Sequence, residues 1–140
     1  MGHAHEKAPV AAALDRLTIR IVDVPGKGRG VVAARRIERG ELIERAPVVP
    51  VPASQVATLE ATALAHYVYD WADGGVAVTL GWGSIYNHSY TPNARYVKRF
   101  DENAIEYVAA ADIEAGAEIT INYNGSHPDQ MHPLWFDVVD

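Results

Sequence analysis

A run of neutral polar side chains lies inside an otherwise apolar part of the chain and is the strongest constraint on its fold. The run covers residues 86–93 and contains Asn87, His88, Ser89 and Asn93. Such groups are costly to remove from water unless hydrogen bonds satisfy them. The segment therefore indicates either an internally bonded turn or a surface that holds a polar ligand.

A second segment, residues 118–123, follows about 30 residues later and joins β-branched residues to a terminal tyrosine. Because side chains of a strand alternate between two faces, the sequence predicts a last strand over residues 119–123. A tyrosine that ends an apolar face usually belongs to the core, so this segment alone identifies no site. The two predicted faces carry Ile119, Ile121 and Tyr123 on one side, and Thr120 and Asn122 on the other.

The rest of the sequence predicts short strands, tight turns and one short helix, hence a mainly β fold. Three prolines, at positions 47, 50 and 52, exclude a helix over the segment that contains them. Ser54 is the predicted N-cap of the one helix, residues 55–63. Hairpins are predicted around Asp73-Gly74-Gly75 and around Asp101-Glu102-Asn103. The other predicted strands are residues 17–24, 31–37, 41–51, 64–71, 76–80, 94–100 and 104–109.

The composition fits one folded domain of 140 residues with a net charge of −6. The chain has no cysteine, which excludes disulfides, zinc–thiolate sites and a cysteine nucleophile. No apolar run approaches the ~20 residues of a membrane-spanning helix. Residues 46–94 and 100–140 contain no lysine or arginine. These acidic regions are either solvated faces or a surface that attracts a cationic partner, and they disfavour direct binding of nucleic acid.

Gly28-Arg29-Gly30 follows the first predicted strand. Glycines at such a place usually mark a turn or a left-handed backbone conformation. They also let a ligand approach the main chain, because no Cβ stands in the way. A phosphate-binding loop is excluded, since no helix follows and the Gly-Lys-Ser/Thr ending is absent.

Together, these three segments resemble the signature motifs of the SET-domain protein lysine methyltransferases. Asn87-His88-Ser89 with Pro92-Asn93 matches the family's Asn-His-Ser/Cys-x-x-Pro-Asn at every defined position. Residues 118–123 resemble its Glu-Leu-Thr-x-Asp-Tyr, with Asn122 where the family commonly has aspartate. Residues 80–86 are similar to the compact stand-alone type, which includes a small viral histone methyltransferase.

The resemblance implies a mainly β fold, the SET β-clip, with several short sheets, little helix and a knot-like C-terminal segment. It implies a single SET domain over residues 15–140, and the weakly apolar residues 1–14 before it are expected to form a flexible N-terminal tail. It also implies S-adenosylmethionine as cofactor. Tyr123 and Tyr96 are the implied catalytic residues, and Tyr96, Tyr86 and Ile85 the implied substrate channel. The implied cofactor-binding residues are Lys27, Gly28, Arg29, Gly30, Tyr86, Asn87, His88, Tyr123 and Trp135.

The predicted function is transfer of a methyl group from S-adenosylmethionine to the ε-amine of a lysine in a protein or histone-like peptide. Two alternatives stay open: a non-catalytic SET module that binds basic peptides or proteins, and methylation of a small amine. The expected partners are a basic protein substrate and a second copy of the chain, without nucleic acid or membrane. The expected location is cytoplasmic, or nuclear if the substrate is host chromatin. No metal is expected, because the spacing of His127 and His132 fits no standard zinc pattern.

Overall fold

The computed structural model describes residues 17–125, which form nine short strands and one α-helix. The helix, α1, is Ala53–Glu60. Three short 3₁₀ turns, Ala63–His66, Ala72–Gly74 and Phe100–Glu102, lie between strands. The strands are β1 (Ile19–Val24), β2 (Gly28–Ala33), β3 (Leu42–Val51), β4 (Val68–Asp70), β5 (Val76–Thr79), β6 (Asn87–His88), β7 (Ala94–Arg99), β8 (Ala104–Ala109) and β9 (Glu118–Ile121).

A four-stranded sheet has the order β1-β2-β9-β6. The hairpin of β1 and β2 closes at a turn in which Gly26 and Gly28 both have φ of +78°, a left-handed conformation that glycine adopts without a steric penalty. Strand β9 pairs with β2 on one side and runs parallel to β6 on the other. Parallel neighbours cannot be joined by a tight turn, so β6 and β9 come from distant parts of the chain.

A five-stranded sheet has the order β4-β5-β3-β8-β7. Its central strand, β3, changes partner along its length: it pairs with β8 up to Pro47 and with β5 from Val48 onward. Proline has no N–H to donate to a ladder, which restricts it to places where one side of a strand is open. The change of partner provides such places within β3.

The two edges of the five-stranded sheet meet through side chains, along a line that we call the seam. Tyr69 of β4 contacts Tyr96 of β7, with ring centroids 5.2 Å apart. Lys98 Nζ donates to the Asp70 carbonyl at 2.8 Å. Trp71 and Phe100, directly after the two strands, have ring centroids 4.6 Å apart. The sheet is therefore curled until its first and last strands face each other.

The core lies where the two sheets meet. Ile37 and Ile113 form an isolated bridge, and both side chains are almost completely buried. Two large aromatic residues, Tyr86 and Tyr107, are buried with them, and their rings lie 4.5 Å apart. The other fully buried large side chains are Val31, Ile105, Ile119 and Ile121.

The predicted mainly β fold is confirmed, and the hairpins of β4 with β5 and of β7 with β8 form as expected. The second strand begins at Gly28 and ends at Ala33, earlier than the predicted residues 31–37. Ser54 does not cap the helix: the N-cap is Pro52, with no side-chain hydrogen bond. Proline fits here because its fixed φ suits the approach to a helix.

The predicted faces of the last strand are also wrong at its end. The strand stops at Ile121, and a turn follows. Asn122 is consequently buried, whereas Tyr123 is 40% exposed. The predicted tail, residues 1–14, and Trp135 lie outside the described residues. Within residues 17–125, no helix is long and apolar enough to cross a membrane.

Candidate active site

The polar run after Tyr86 is bonded to β9 rather than left without partners. The backbone N–H of Ser89 donates to the Ile121 carbonyl at 2.9 Å. The amide of Asn93 binds β9 twice: its Nδ2 donates to the Glu118 carbonyl at 2.8 Å, and its Oδ1 accepts from Thr120 N at 2.9 Å. The Ser89 hydroxyl in turn accepts from Thr91 N at 3.0 Å. These bonds explain why asparagine and serine are tolerated here, and they bring the two sequence motifs side by side.

A charged network forms where β2, β6 and β9 meet. The Glu118 carboxylate accepts from Lys27 Nζ at 2.9 Å and from Asn87 Nδ2 at 2.8 Å. Asn87 Nδ2 also lies 3.0 Å from the Arg29 carbonyl, which accepts a second bond. A Cβ at Gly30 would come within 2.8 Å of both Asn87 Nδ2 and Glu118 Oε2. Glycine at position 30 therefore makes room for the network itself.

Tyr123 is fixed at both its backbone and its hydroxyl. Its N–H donates to His88 Nδ1 at 2.9 Å. Its hydroxyl donates to the Tyr86 carbonyl at 2.6 Å. Burial of the hydroxyl raises the pKa of Tyr123 to about 12, and the nearby Glu118 carboxylate adds to the effect. The phenol is thus neutral near pH 7 and acts as a hydrogen-bond donor in a fixed direction.

Two tyrosines of the five-stranded sheet and Tyr86, directly before β6, form a cluster near Tyr123. Tyr107 donates to the Tyr69 hydroxyl at 2.8 Å, and Tyr69 donates to the Gly83 carbonyl at 2.7 Å. Burial raises the pKa of both phenols well above the usual value. Tyr86 points the other way and donates to Glu44 Oε1 at 2.8 Å. We call Tyr69, Tyr86 and Tyr107 the tyrosine cluster.

Tyr96 lies behind Tyr123, close to the seam. Its hydroxyl donates to the Tyr123 carbonyl at 3.3 Å. A Cβ at Gly125 would collide with the Tyr96 hydroxyl, so glycine permits this close approach. Burial raises the pKa of Tyr96 to about 12. Tyr96 therefore supports the turn that carries Tyr123.

A cavity of about 680 Å³ lies between the charged network and the tyrosine cluster. Seven of the predicted site residues line it: Lys27, Gly28, Arg29, Ile85, Tyr86, Asn87 and Tyr123. Gly30, His88 and Tyr96 are not part of its lining but contact residues that are.

The opposite wall of this cavity carries none of the predicted site residues. That wall is formed by residues 65–69 together with Gly83 and Ser84. The signal that was available is the aromatic alternation of Tyr67, Tyr69 and Trp71 within the predicted strand, which places three rings on one face. Glu118 was also given no role, although its carboxylate joins Lys27 to Asn87.

Among residues 17–125, no group of three or more histidine, aspartate or glutamate side chains could hold a metal ion. His127 and His132 lie outside this range. The polar groups that line the cavity include the Lys27 ammonium, the Arg29 guanidinium and the Asn87 amide, which can bind organic ligands by hydrogen bonds and charge.

The sequence model of the SET domain family matches residues 28–124 of this chain. These residues contain both motif segments and the strands that position them. The chain belongs to the SET-domain family of lysine methyltransferases. A relative of this SET domain is the "Histone-lysine N-methyltransferase, H3 lysine-37 specific" of Schizosaccharomyces pombe. The two are 33% identical over 123 residues, which cover 87% of this chain and 79% of the yeast protein.

The fold of this SET domain is also similar to a crystal structure of a Plasmodium falciparum protein described as a candidate histone methyltransferase. The TM-score is 0.64 at 27% sequence identity. The similarity covers 76% of this chain and 92% of the Plasmodium chain. The arrangement of sheets around the cavity is therefore that of the family.

Proposed function

We propose that this SET domain transfers a methyl group from S-adenosylmethionine to the ε-amine of a lysine in a basic protein. The observation that carries the proposal is the Tyr123 hydroxyl, held 2.6 Å from the Tyr86 carbonyl at the wall of the cavity. It lies between a wall of charges and a wall of neutral hydroxyls. Such a site can receive a charged cofactor on one side and an uncharged amine on the other.

The residues present fit S-adenosylmethionine. Its amino-acid end carries one ammonium and one carboxylate. Lys27 and Arg29 line the cavity as cations, and Asn87 offers an amide beside the Glu118 carboxylate. Charge-assisted hydrogen bonds from such groups are stronger than neutral ones. When bound, the cofactor supplies a methyl group on a positively charged sulfur.

The chain's own residues favour a neutral lysine at this site. A free lysine has a pKa of about 10.4, so roughly one molecule in 2,000 is neutral at pH 7. Among the described residues, the lining of the cavity includes Lys27 and Arg29 but no carboxylate. The Glu118 carboxylate behind the lining offsets the charge of Lys27, so Arg29 supplies the net positive charge. Nearby positive charge and partial burial both disfavour the ammonium form. A strong base is therefore unnecessary, and Tyr123, with its pKa raised to about 12, orients the amine by a hydrogen bond.

The catalytic contribution of the protein is mostly alignment. Tyr123 is held by its own N–H, by its hydroxyl and by the contact of its carbonyl with Tyr96. Two reactants held in line gain a large effective concentration, provided that the groups around them do not move. Three separate anchors on one residue supply this rigidity.

The proposed substrate is a lysine in a basic peptide or protein. The yeast relative is named for histone H3, and residues 100–140 of this chain contain nine acidic residues and no lysine or arginine. An excess of acidic residues of this kind favours a cationic partner by long-range electrostatics. Dimerisation of the SET domain, which would give the substrate groove a further wall, belongs to the same proposal, and light scattering measures it.

Incubation with S-adenosylmethionine and a set of basic peptides tests the proposal. We expect a peptide mass increase of one methyl group, which is absent when the lysine is replaced by arginine. Transfer to free lysine or polyamines but not to peptides would indicate a small-amine methyltransferase. Peptide binding with no transfer to any substrate would indicate a non-catalytic module.

The structure weakens the main argument for that non-catalytic alternative, which is Asn122 in place of the family's aspartate. Asn122 Oδ1 accepts from Asn124 N at 2.9 Å, and the Asn122 carbonyl accepts from Gly125 N at 2.8 Å. Asparagine thus stabilises the turn that carries Tyr123 with an amide oxygen, as an aspartate would with a carboxylate oxygen. A negative charge is not needed for this contact.

A further inference from the structure

A second cavity, of about 390 Å³, lies at the end of the seam away from Tyr123. Pro50, Pro52, Trp71 and Phe100 supply much of its apolar wall. Trp71 and Phe100 meet at an angle of 52° between their planes, so they form a corner rather than a flat stack. Phe100 is 47% exposed. An exposed ring beside prolines offers apolar surface to the stem of a long side chain.

The backbone around this cavity has an unusual conformation. Among the described residues, Asp73 and Asn103 are the two non-glycine residues with positive φ, at 57° and 47°. Both line the second cavity. Left-handed backbone is uncommon outside glycine, and it recurs where a site needs a particular loop shape. Here the two turns place an aspartate and an asparagine at an otherwise apolar corner.

The charge in the lining of the second cavity is negative. Asp73 is the charged residue among those that line it, whereas Asp70, one position before Trp71, lies beside the Lys98 ammonium of the seam. Within residues 17–125, Asp73 forms no salt bridge. The corner therefore combines aromatic rings with an unpaired carboxylate. A lysine or arginine side chain satisfies both, because its stem packs on apolar surface and its cationic head is attracted to rings and carboxylates.

The seam connects the two cavities. Two ring pairs follow one another along it, Tyr69 with Tyr96 and then Trp71 with Phe100. Tyr96 and Phe100 are four residues apart, which corresponds to about 13 Å along a strand. An extended peptide covers this distance in about four residues. A peptide whose lysine enters the cavity at Tyr123 is long enough to place another side chain against Phe100.

We propose that the second cavity is a docking site for one further cationic side chain of the substrate peptide, distinct from the lysine that is methylated. This inference rests on the proposed function, because the ligand is the same basic peptide. It assigns to Asp73 the attraction of the cationic head and to Phe100 the contact with the stem. The site would favour substrates with a second basic residue several positions from the target lysine.

Steady-state kinetics with two peptides test the inference. One peptide is arginine-rich around a single lysine, and the other is cut back to the residues beside that lysine. Asp73→Asn keeps a residue type that tolerates positive φ and removes only the charge. We expect this variant and Phe100→Ala to raise KM for the long peptide about three- to fivefold, with kcat unchanged. KM for the short peptide should not change.

Leu42→Ala is the matched control, since Leu42 is 51% exposed on β3 and lines neither cavity. Equal changes of KM for the long and short peptides, or no change for either, would overturn the inference. A loss of dimer mass on Phe100→Ala would also overturn it, because a second copy of the chain would then occupy the corner.

Direct binding separates this inference from the proposed function. The long peptide with its lysine replaced by arginine cannot be methylated at that position. Titration of this peptide should shift the backbone amide resonances of Gly74 and Gly75, next to Asp73, and Asp73→Asn should reduce the shifts. Shifts without methyl transfer to any substrate would leave the docking site in place and reject the catalytic proposal. Absence of shifts in an active enzyme would reject the docking site alone.

Discussion

The two walls of the larger cavity, which contains Tyr123, come from different sheets and differ in how they hold their polar groups. On the four-stranded sheet, Lys27, Glu118 and Asn87 form a network of charges and one amide. On the five-stranded sheet, Tyr69 and Tyr107 form a chain of neutral hydroxyls that ends on a carbonyl. One wall presents charge to the cavity, and the other presents dipoles.

The difference supports the proposal that one cavity serves two ligands of unlike charge. Lys27 and Glu118 offer a zwitterion one charge of each sign. Phenols with strongly raised pKa values stay neutral, so they offer hydrogen bonds without the negative charge that would favour an ammonium. Tyr123 lies between the walls, bonded to the carbonyl of Tyr86.

Tyr123→Phe should produce the largest effect on this arrangement. It removes the hydroxyl between the two walls but leaves the ring and the backbone contact with His88. We expect kcat to fall about 100-fold or more, as on loss of a positioned donor in other active sites. Binding of S-adenosylmethionine, measured by calorimetry, should stay within about twofold. A radiolabelled-methyl assay with unchanged turnover would remove Tyr123 from the mechanism.

The pH dependence provides a control for this variant. Because the pKa of Tyr123 is raised to about 12, its hydroxyl stays protonated as the pH rises from 7 to 10. The wild-type rate should therefore increase with pH as the substrate lysine loses its proton, with no decrease from tyrosine ionisation in that range. A fall in kcat between pH 8 and 10 would contradict the orienting role.

Glu44→Ala should destabilise the tyrosine cluster, because Glu44 binds the hydroxyl of Tyr86 on the side away from the cavity. The Glu44 carboxylate accepts from the Tyr86 hydroxyl at 2.8 Å and from the backbone N–H of Trp82 at 2.9 Å. Its removal leaves two partly buried donors without a partner, at about 1–3 kcal/mol each. We expect the free energy of unfolding, measured with urea, to fall by about 2–4 kcal/mol.

Two further variants serve as controls for the loss of stability in Glu44→Ala. Glu44→Gln keeps one acceptor oxygen and should cost less than the alanine variant. Glu60→Ala removes an exposed carboxylate from α1 and should change stability by no more than about 0.5 kcal/mol. If Glu44→Ala were as mild as Glu60→Ala, the tyrosine cluster would not depend on a carboxylate outside the cavity.

Asn87→Ala should weaken the charged wall alone. It removes the donor shared by Glu118 and the Arg29 carbonyl. Hydrogen bonds to charged groups are worth about 1.5–3 kcal/mol, so we expect affinity for S-adenosylmethionine to fall about tenfold or more. Tyr107→Phe removes the hydrogen bond that Tyr69 of the opposite wall accepts, and it should leave the affinity for S-adenosylmethionine within about twofold. Similar losses in both variants, measured by calorimetry, would show that the walls do not divide the two tasks.

Tyr96→Phe should produce the smallest change in rate. Its hydroxyl bonds the Tyr123 carbonyl at 3.3 Å, a long contact for a hydrogen bond. We expect kcat within about threefold of wild type and a product distribution shifted toward more methyl groups per lysine. Mass spectrometry of the products measures this shift. An identical distribution would place Tyr96 outside the substrate channel.

Local sequence signals predicted the hairpins but not the way the sheets assemble. The turns at Asp73-Gly74-Gly75 and Asp101-Glu102-Asn103 contain glycine, aspartate and asparagine, which favour turns. The hairpins β4–β5 and β7–β8 could therefore be placed correctly. The central position of β3 depends on partners that lie far away in the sequence. No tight turn connects the parallel strands β6 and β9, so no local sequence signal predicts that they pair.

The candidate site was partly predictable for the same reason. Asn87 and Tyr123 belong to contiguous motifs, and the structure places both at the cavity. Tyr69 and Glu44 are isolated residues whose roles arise only through contacts with distant loops. The alternation rule failed at Asn122 and Tyr123 because the strand stops two residues earlier than the pattern suggests.

The parallel pairing of β6 with β9 has a consequence for synthesis of the protein. Asn87 pairs with Thr120, more than 30 positions later. Every strand of the five-stranded sheet precedes β9 in the chain, so that sheet can leave the ribosome while β9 is still inside the exit tunnel. A nascent chain at this stage holds half of a pocket and can enclose no ligand. We therefore expect ligand binding only after β9 has paired with β6.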